Sequence, residues 1–319
     1  MRGAAILADI GGTNARFALL RDGRITARRR VRVADFPNVD AAMADYLARL
    51  RGVPLPLRMA VAAAGPISGG MVRLTNSPWR ISAGALRDAF RLRDVTLVND
   101  FAAVAWAVPH LTAAHTMTVG GGRAQRGAPV AILGPGTGLG VAGMIPGPSG
   151  PHVLVTEGGH VTMAPADARE SAILAHLRTR FGHVSAERVL SGDGLVNLVQ
   201  AIAVLDGQAA GAHTPDAIAE HALAGTSPSC VAALAAFCAM LGTMASNLAL
   251  TLGARGGVYI AGGIVPRFVN YLAASAFRSR FEGKGRFSAY LSAIPTRVIV
   301  YDDLAFLGLR AMLQRRKGG

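Results

Sequence analysis

The sequence predicts an α/β protein built as two related lobes, and three observations predict it. Apolar runs of strand length alternate with runs of helical spacing along the chain. A strand, a glycine-rich turn and a second strand occur at 5–20 (AILADI, GGTN, ARFALL) and again at 130–145 (VAILGPGTGLGVAGMI). A repeat of this kind points to two similar lobes facing each other. The length, 319 residues, exceeds what one hydrophobic core usually serves.

Taken in order, the first hairpin is followed by helical apolar spacing over 40–50. Residues 57–64 read as a strand stopped by Gly65-Pro66. Residues 81–90 read as a helix with Ser82 as its N-cap. A short buried strand at 95–98 ends at Asn99-Asp100, and the helix 101–108 is closed by Pro109. After the second hairpin, IPGPSGP leads to a strand at 153–155 that runs into Glu157-Gly158-Gly159-His160. Helical spacing covers 168–181, a short loop from Glu187 enters a helix reaching Asn197, and another helix spans 215–223. The uncharged run 231–252 follows. Then come a strand at 257–261, Gly262-Gly263, a helix opening at Pro266, a strand at 297–300 and a helix at 305–314.

Half of the residues are hydrophobic and 16% are charged, a composition that buries a large core and excludes a disordered chain. The run 231–252 is long enough to cross a bilayer. It is Ala-rich, contains Gly242, Thr243, Ser246 and Asn247, and lacks aromatic or basic anchors, so it reads as a buried central helix and not a membrane span. Asp9 and a glycine pair interrupt the early apolar stretch, which excludes a signal peptide. Cys230 and Cys238 are too few for a disulfide framework or a four-ligand zinc site and read as buried thiols of a cytoplasmic protein.

The net charge is +14, and all the cationic side chains except Lys284 and Lys317 are Arg. Arg28-Arg29-Arg30 with Arg32 lies in ITARRRVRV, which reads as a strand with a solvated, charge-protected edge. Arg315-Arg316-Lys317 forms a basic tail. Anionic ligands or nucleic acid would suit such a balance. No helix-turn-helix, zinc finger or aromatic–basic interleaving accompanies it, which argues against nucleic acid.

Four motifs carry chemistry. Phosphates need close backbone N–H donors, and glycine lets them approach. Gly11-Gly12-Thr13-Asn14 and Gly134-Pro135-Gly136-Thr137-Gly138 offer two such turns, with Arg16 as a further charge. Neither is a Walker A loop or a dinucleotide fingerprint, and each alone serves equally as a plain hairpin. Asn99-Asp100 follows a buried strand and opens a helix. A carboxylate there either takes a proton from an attacking hydroxyl or caps the helix. Glu157, His160 and Glu187 supply acceptors and an imidazole suited to sugar hydroxyls, with Gly158-Gly159 letting the sugar near the backbone. The rival reading of Glu-x-x-His as a metal site needs a helix and a second copy, and the sequence has neither. Gly262-Gly263 ends a buried strand where a flat base could lie, or simply stops that strand.

Together these residues resemble the bacterial glucokinase family, within the hexokinase–actin-like ATPase superfamily. The resemblance runs through ADIGGTNARFAL (8–19), TNSPW (75–79), VNDFAAV (98–104), LGPGTGLGVA (133–142), EGGHV (157–161), GHVSAERVLSGDGLVNL (182–198), NLAL (247–250), GGVYIAGGIVPRF (256–268) and KGRF (284–287). It implies a two-lobed, ribonuclease H-like α/β fold with an interlobe cleft, one lobe from 1–110 plus 301–319 and a larger one from 111–300. It implies ATP-dependent phosphorylation of glucose on its 6-hydroxyl, with Asp100 as general base and Asn99, Glu157, His160 and Glu187 on the sugar. It also implies an ATP site at Asp9, Gly11, Gly12, Thr13, Asn14, Gly136, Thr137, Gly138, Gly262 and Gly263, Mg²⁺ at Asp9, and a homodimer. Kinases of fructose, mannose or N-acetylglucosamine share the chemistry, and a non-catalytic sugar or nucleic-acid binder is the alternative of another class. The repressor–kinase (ROK) branch carries a Cys-rich zinc loop that the two distant cysteines cannot build. The segment AAGPISGG at 63–70 departs from the family pattern and is expected to stay clear of the catalytic residues.

Overall fold

The computed structural model describes residues 4–50, 56–74, 77–148, 150–209, 211 and 213–315. Thr75 and Asn76 of TNSPW, and Arg316 and Lys317 of the basic tail, lie outside the described residues. The chain forms two compact units, residues 1–111 with 302–319, and residues 112–301.

The first unit opens with β1 (Ala5–Ile10), β2 (Asn14–Arg21) and β3 (Arg24–Arg32), then α1 (Val39–Ala48) and β4 (Arg58–Ala63). A small antiparallel sheet follows from β5 (Ile67–Ser68), β6 (Met71–Arg73) and β7 (Arg80–Ser82). Then come α2 (Ala83–Ala89), β8 (Asp94–Asn99) and α3 (Asp100–Ala107). The main sheet has the order β3-β2-β1-β4-β8. β1, β4 and β8 run parallel, and β2 and β3 fold back antiparallel.

The period of two in β1 sends its side chains into two cores. Ile6, Ala8 and Ile10 face Val39, Met43 and Trp79. Ala5 and Leu7 face the other layer, built by α3 and by the last helix of the chain. β3 is the edge strand, and its arginines are mostly exposed, as a charge-protected edge requires. Two of them find acids, Arg28 on Asp303 and Arg29 on Asp45.

The second unit contains β9 (Thr116–Gly120), β10 (Val130–Pro135), β11 (Leu139–Ile145) and β12 (His152–Val155). Four helices follow, α4 (Ala168–Phe181), α5 (Gly192–Leu205), α6 (Pro215–Ala224) and α7 (Pro228–Leu252). The unit ends with β13 (Val258–Ile260), α8 (Val269–Ala274), α9 (Phe277–Glu282), α10 (Ser288–Ser292) and β14 (Thr296–Ile299). α11 (Leu304–Arg315) returns to the first unit.

The second sheet has the order β12-β11-β10-β13-β14-β9. Its first five strands repeat the first sheet strand for strand: an antiparallel triplet, then two strands parallel to the central one. The repeat seen in the sequence is therefore a repeat of topology. β9, unforeseen from the sequence, adds an antiparallel edge.

α7 is, among the described residues, the helix long and apolar enough to cross a membrane. It lies inside the second unit, packed on α5, α6 and α9, with Leu234, Phe237, Met240 and Leu241 fully buried. Ser227 caps its start and Gly253, in the left-handed region, ends it. Two sequence expectations shift. Ile81 belongs to β7, because Ser82 is the cap and the helix begins only after it. The helix expected at Pro266 opens as a 3₁₀ turn, Val265–Phe268, before α8.

Candidate active site

In the first unit the parallel strands end together. Ile10, Ala63 and Asn99 stand in one row across β1, β4 and β8. The first glycine turn leaves β1 just beyond that row, and Asp100 follows Asn99. Two strand spacings, roughly 10 Å, separate them along the carboxyl edge of the sheet. Ligands of open α/β sheets bind at this kind of edge.

The cap of α3 is Asn99 and not Asp100. Asn99 Oδ1 accepts the N–H groups of Phe101 (2.9 Å) and Ala102 (3.2 Å). Its Nδ2 donates to the Gly65 carbonyl at 3.3 Å, leaving one amide hydrogen for a ligand. The 63–70 segment, expected to stay clear of the catalytic residues, touches Asn99 through Gly65. Asp100 is the first helical residue, half-buried, with Oδ1 accepting the Phe101 N–H at 2.9 Å. The helix itself is fixed from behind, since a Cβ on Gly308 of α11 would overlap the Ala103 carbonyl.

Asp9 is paired across the hairpin with Arg16. Arg16 Nε donates to Asp9 Oδ2 at 2.8 Å, and the same guanidinium reaches the Asp302 carbonyl at 2.7 Å. Arg16 is thus committed to Asp9, not left as a separate phosphate ligand. Arg30 Nε donates to Asn14 Oδ1 at 3.0 Å, which steadies the end of the turn. Thr13 at the tip is exposed.

The second unit brings together three motifs that are distant in sequence. Leu133 pairs with Ile260, so Gly262-Gly263 leaves β13 beside the second glycine turn. Gly262 has φ +87°, and a Cβ there would overlap the Pro135 carbonyl. Gly136 and Gly263 have no such constraint, so the fold alone does not demand glycine at either position. An incoming anion or base edge that needs the backbone bare would account for both.

The second cluster lies on β11. His160 stands with Nδ1 3.9 Å from Glu157 Oε2 and Nε2 3.8 Å from Glu187 Oε1. Glu157 and His160 are well exposed and Glu187 is one-third exposed, so polar groups line an open surface. The bridge between Thr162 and Ser185, with Met163 N–H on Val184 O (3.0 Å) and Ala186 N–H on Val161 O (2.8 Å), holds the two segments in register. Gly158 and Gly159 also have a reason within the fold. A Cβ on Gly159 would overlap the Leu139 carbonyl, and one on Gly158 would lie 2.8 Å from Val141 Cγ1. The glycine pair lets the turn pack on β11.

Sequence reasoning missed the groups that join these motifs. Leu139 donates its N–H to Glu187, Ser191 caps α5, and Gly192 donates to the Gly136 carbonyl at 2.9 Å. Ser191 had a legible signal, a Ser ahead of an apolar helical run. The backbone donors had none. Among the described residues no three His, Cys, Asp or Glu side chains converge as a metal cage. The chemistry fits a cation brought in largely by nucleotide phosphates and touched by one carboxylate, with Asp9 the candidate.

Two sheets of one topology, each with a glycine hairpin, make the actin-like ATPase fold. The solved glucokinase from an Antarctic psychrotroph is 36% identical, with a TM-score of 0.88 over 98% of this chain and 99% of that chain. The ROK family glucokinase from Streptomyces griseus, solved in complex with glucose and AMPPNP, is 19% identical. It shares the fold at a TM-score of 0.62, covering 97% of this chain and 99% of that chain. The Glucokinase family model matches residues 6–316, and the glucokinase of Paramagnetospirillum magneticum is 52% identical over 97% of each chain. The chain belongs to the glucokinase family. It catalyses the ATP-dependent phosphorylation of glucose to glucose 6-phosphate.

Proposed function

We propose that Asp100 is the general base of this reaction. The supporting observation is its position: first residue of α3, at the carboxyl edge of three parallel strands, in line with the first glycine turn. The glucose 6-hydroxyl oxygen attacks the γ-phosphorus, the bond to the β-phosphate oxygen breaks, and ADP leaves. The hydroxyl proton passes to the Asp100 carboxylate. Asn99 contributes its remaining amide hydrogen to the sugar. Glu157 and Glu187 accept sugar hydroxyls, and His160 between them donates or accepts.

The turns carry the nucleotide in this reading. Gly12, Thr13 and Asn14, and likewise Thr137 and Gly138, supply N–H and side-chain donors to phosphates, while Gly11 and Gly136, whose own N–H groups are held by the Asn14 and Gly138 carbonyls at 2.9 and 2.8 Å, keep the backbone bare. Gly262 and Gly263 lie along the adenosine. Mg²⁺ bound with ATP would neutralise the phosphate oxygens, and Asp9 would be the carboxylate that holds it. Binding of glucose and AMPPNP by the Streptomyces griseus relative supports the choice of ligands.

The enzyme acts in the cytoplasm, at the entry of glucose into glycolysis, as a homodimer. The two buried, unpaired cysteines suit a reducing compartment. The dimer rests on the family resemblance, and sedimentation checks it. The deciding assay offers glucose, mannose, fructose and N-acetylglucosamine with ATP and Mg²⁺ and scores ADP and sugar 6-phosphate. Glucose gives the highest kcat/KM, and chelating the metal stops turnover. Turnover that survives chelation contradicts the metal assignment.

A further inference from the structure

Glu187 lies in the short turn Ala186–Arg188 and directs its two carboxylate oxygens to different neighbours. Oε2 accepts the N–H of Leu139 at 2.8 Å, the residue that closes the second glycine turn and starts β11. Oε1 stands 3.8 Å from His160 Nε2, on the sugar side. The surrounding backbone is tied to the same turn. Ser191 Oγ donates to the Glu187 carbonyl at 2.8 Å, and the neighbouring Gly192 N–H donates to the Gly136 carbonyl at 2.9 Å. A Cβ on Gly138 would overlap Glu187 Oε2. Gly138 is therefore glycine to admit a carboxylate, whatever phosphate it also faces.

We propose that Glu187 is a positioning residue that couples sugar binding to nucleotide binding within the second unit. The proposal rests on the reading of Glu187 as a sugar ligand and of residues 136–138 as a phosphate-facing turn. A carboxylate with one oxygen fixed on a backbone N–H moves only with that backbone. A glucose hydroxyl donating to Oε1 immobilises the side chain and, through Oε2, the Leu139 N–H and the turn before it. The donors at 136–138 are then ordered before the nucleotide arrives, so its binding costs less conformational entropy. Linkage requires the nucleotide to tighten glucose by the same factor.

Titration calorimetry on the full chain tests this, with glucose added alone and with saturating Mg·AMPPNP. In the parent the nucleotide tightens glucose by about fivefold or more. Glu187→Ala brings that factor to about one. Glu187→Gln binds glucose less tightly but keeps an oxygen for the Leu139 N–H, and retains most of the factor. Gly138→Ala, a change in the nucleotide turn, weakens glucose about fivefold or more with no nucleotide present, because its methyl group displaces Oε2. Where Glu187→Ala binds glucose too weakly to titrate, Gly138→Ala decides. Parent-like glucose affinity in Gly138→Ala, or a parent-like factor in Glu187→Ala, overturns the proposal. So does a parent that binds glucose without coupling. A parent that binds no glucose overturns the reading of the sugar site and the proposal with it.

Discussion

The guanidinium of Arg16 grips the carboxylate of Asp9 across the first hairpin, Nε to Oδ2 at 2.8 Å, while its other end holds the Asp302 carbonyl. Asp9 has only 18% of its side chain exposed, so losing that partner strands a largely desolvated charge. Arg16→Ala is expected to cost about 1–3 kcal/mol of stability and to raise the KM for Mg·ATP. Thermal melts and ATP saturation curves check both, and an unchanged melt argues that the pair contributes nothing.

Asp100→Asn keeps an acceptor for the Phe101 N–H and most of the side-chain shape, but loses the basic oxygen. Turnover should fall about a thousandfold, with glucose affinity altered far less. Turnover within tenfold of the parent would assign the proton to another group.

Glycines 262 and 263 separate fold from function. Gly262→Ala meets the Pro135 carbonyl and a backbone φ of +87°, so it should lower the melting temperature as well as nucleotide affinity. Gly263→Ala enters open space within the chain. It should melt like the parent yet raise the KM for ATP; a parent-like KM would remove Gly263 from the adenosine site.

Tyr46 gives the pH prediction. Burial pushes its phenol up to about 12 from 10.0, and its hydroxyl donates to the Ala27 carbonyl at 3.0 Å. The fold favours the protonated phenol. Its contribution is complete below pH 10.0 and disappears as pH rises toward about 12, because the unfolded chain gives up the proton first. The buried Cys238 thiol, pushed up to about 12 from 9.0, and Tyr271, also raised by burial, act on the same limb, so the parent is compared with a variant that changes Tyr46 alone. Tyr46→Phe should cost about 1 kcal/mol at neutral pH and flatten the alkaline fall in melting temperature. Parallel alkaline limbs for parent and variant would contradict it.

What the sequence made legible was whatever punctuation marks. Asp167 caps α4 and Gly182 ends it, and the helix spans the residues that spacing alone had indicated. The two hairpins were equally plain, because glycine clusters interrupt apolar runs. The strands β5 to β7 have two or three residues each, and α10 has five, too few to show a period. At the site, residue types were readable and partners were not. Nothing around Asn99 announces that Gly65 takes its amide, nor around Glu187 that Leu139 supplies its hydrogen bond, because backbone groups are alike at every position. The packing partners of the glycines at 158 and 159, the Val141 side chain and the Leu139 carbonyl of β11, were equally hidden.

The return of α11 to the first unit has a consequence for biosynthesis. Residues 112–301 form an uninterrupted segment and can fold as soon as they leave the ribosome. The layer that backs Asp100 waits for Phe306, Gly308 and Leu309, which are made after the whole of that segment. A nascent chain therefore completes its second unit before the first can close its core. Catalytic competence is gained only once α11 has emerged.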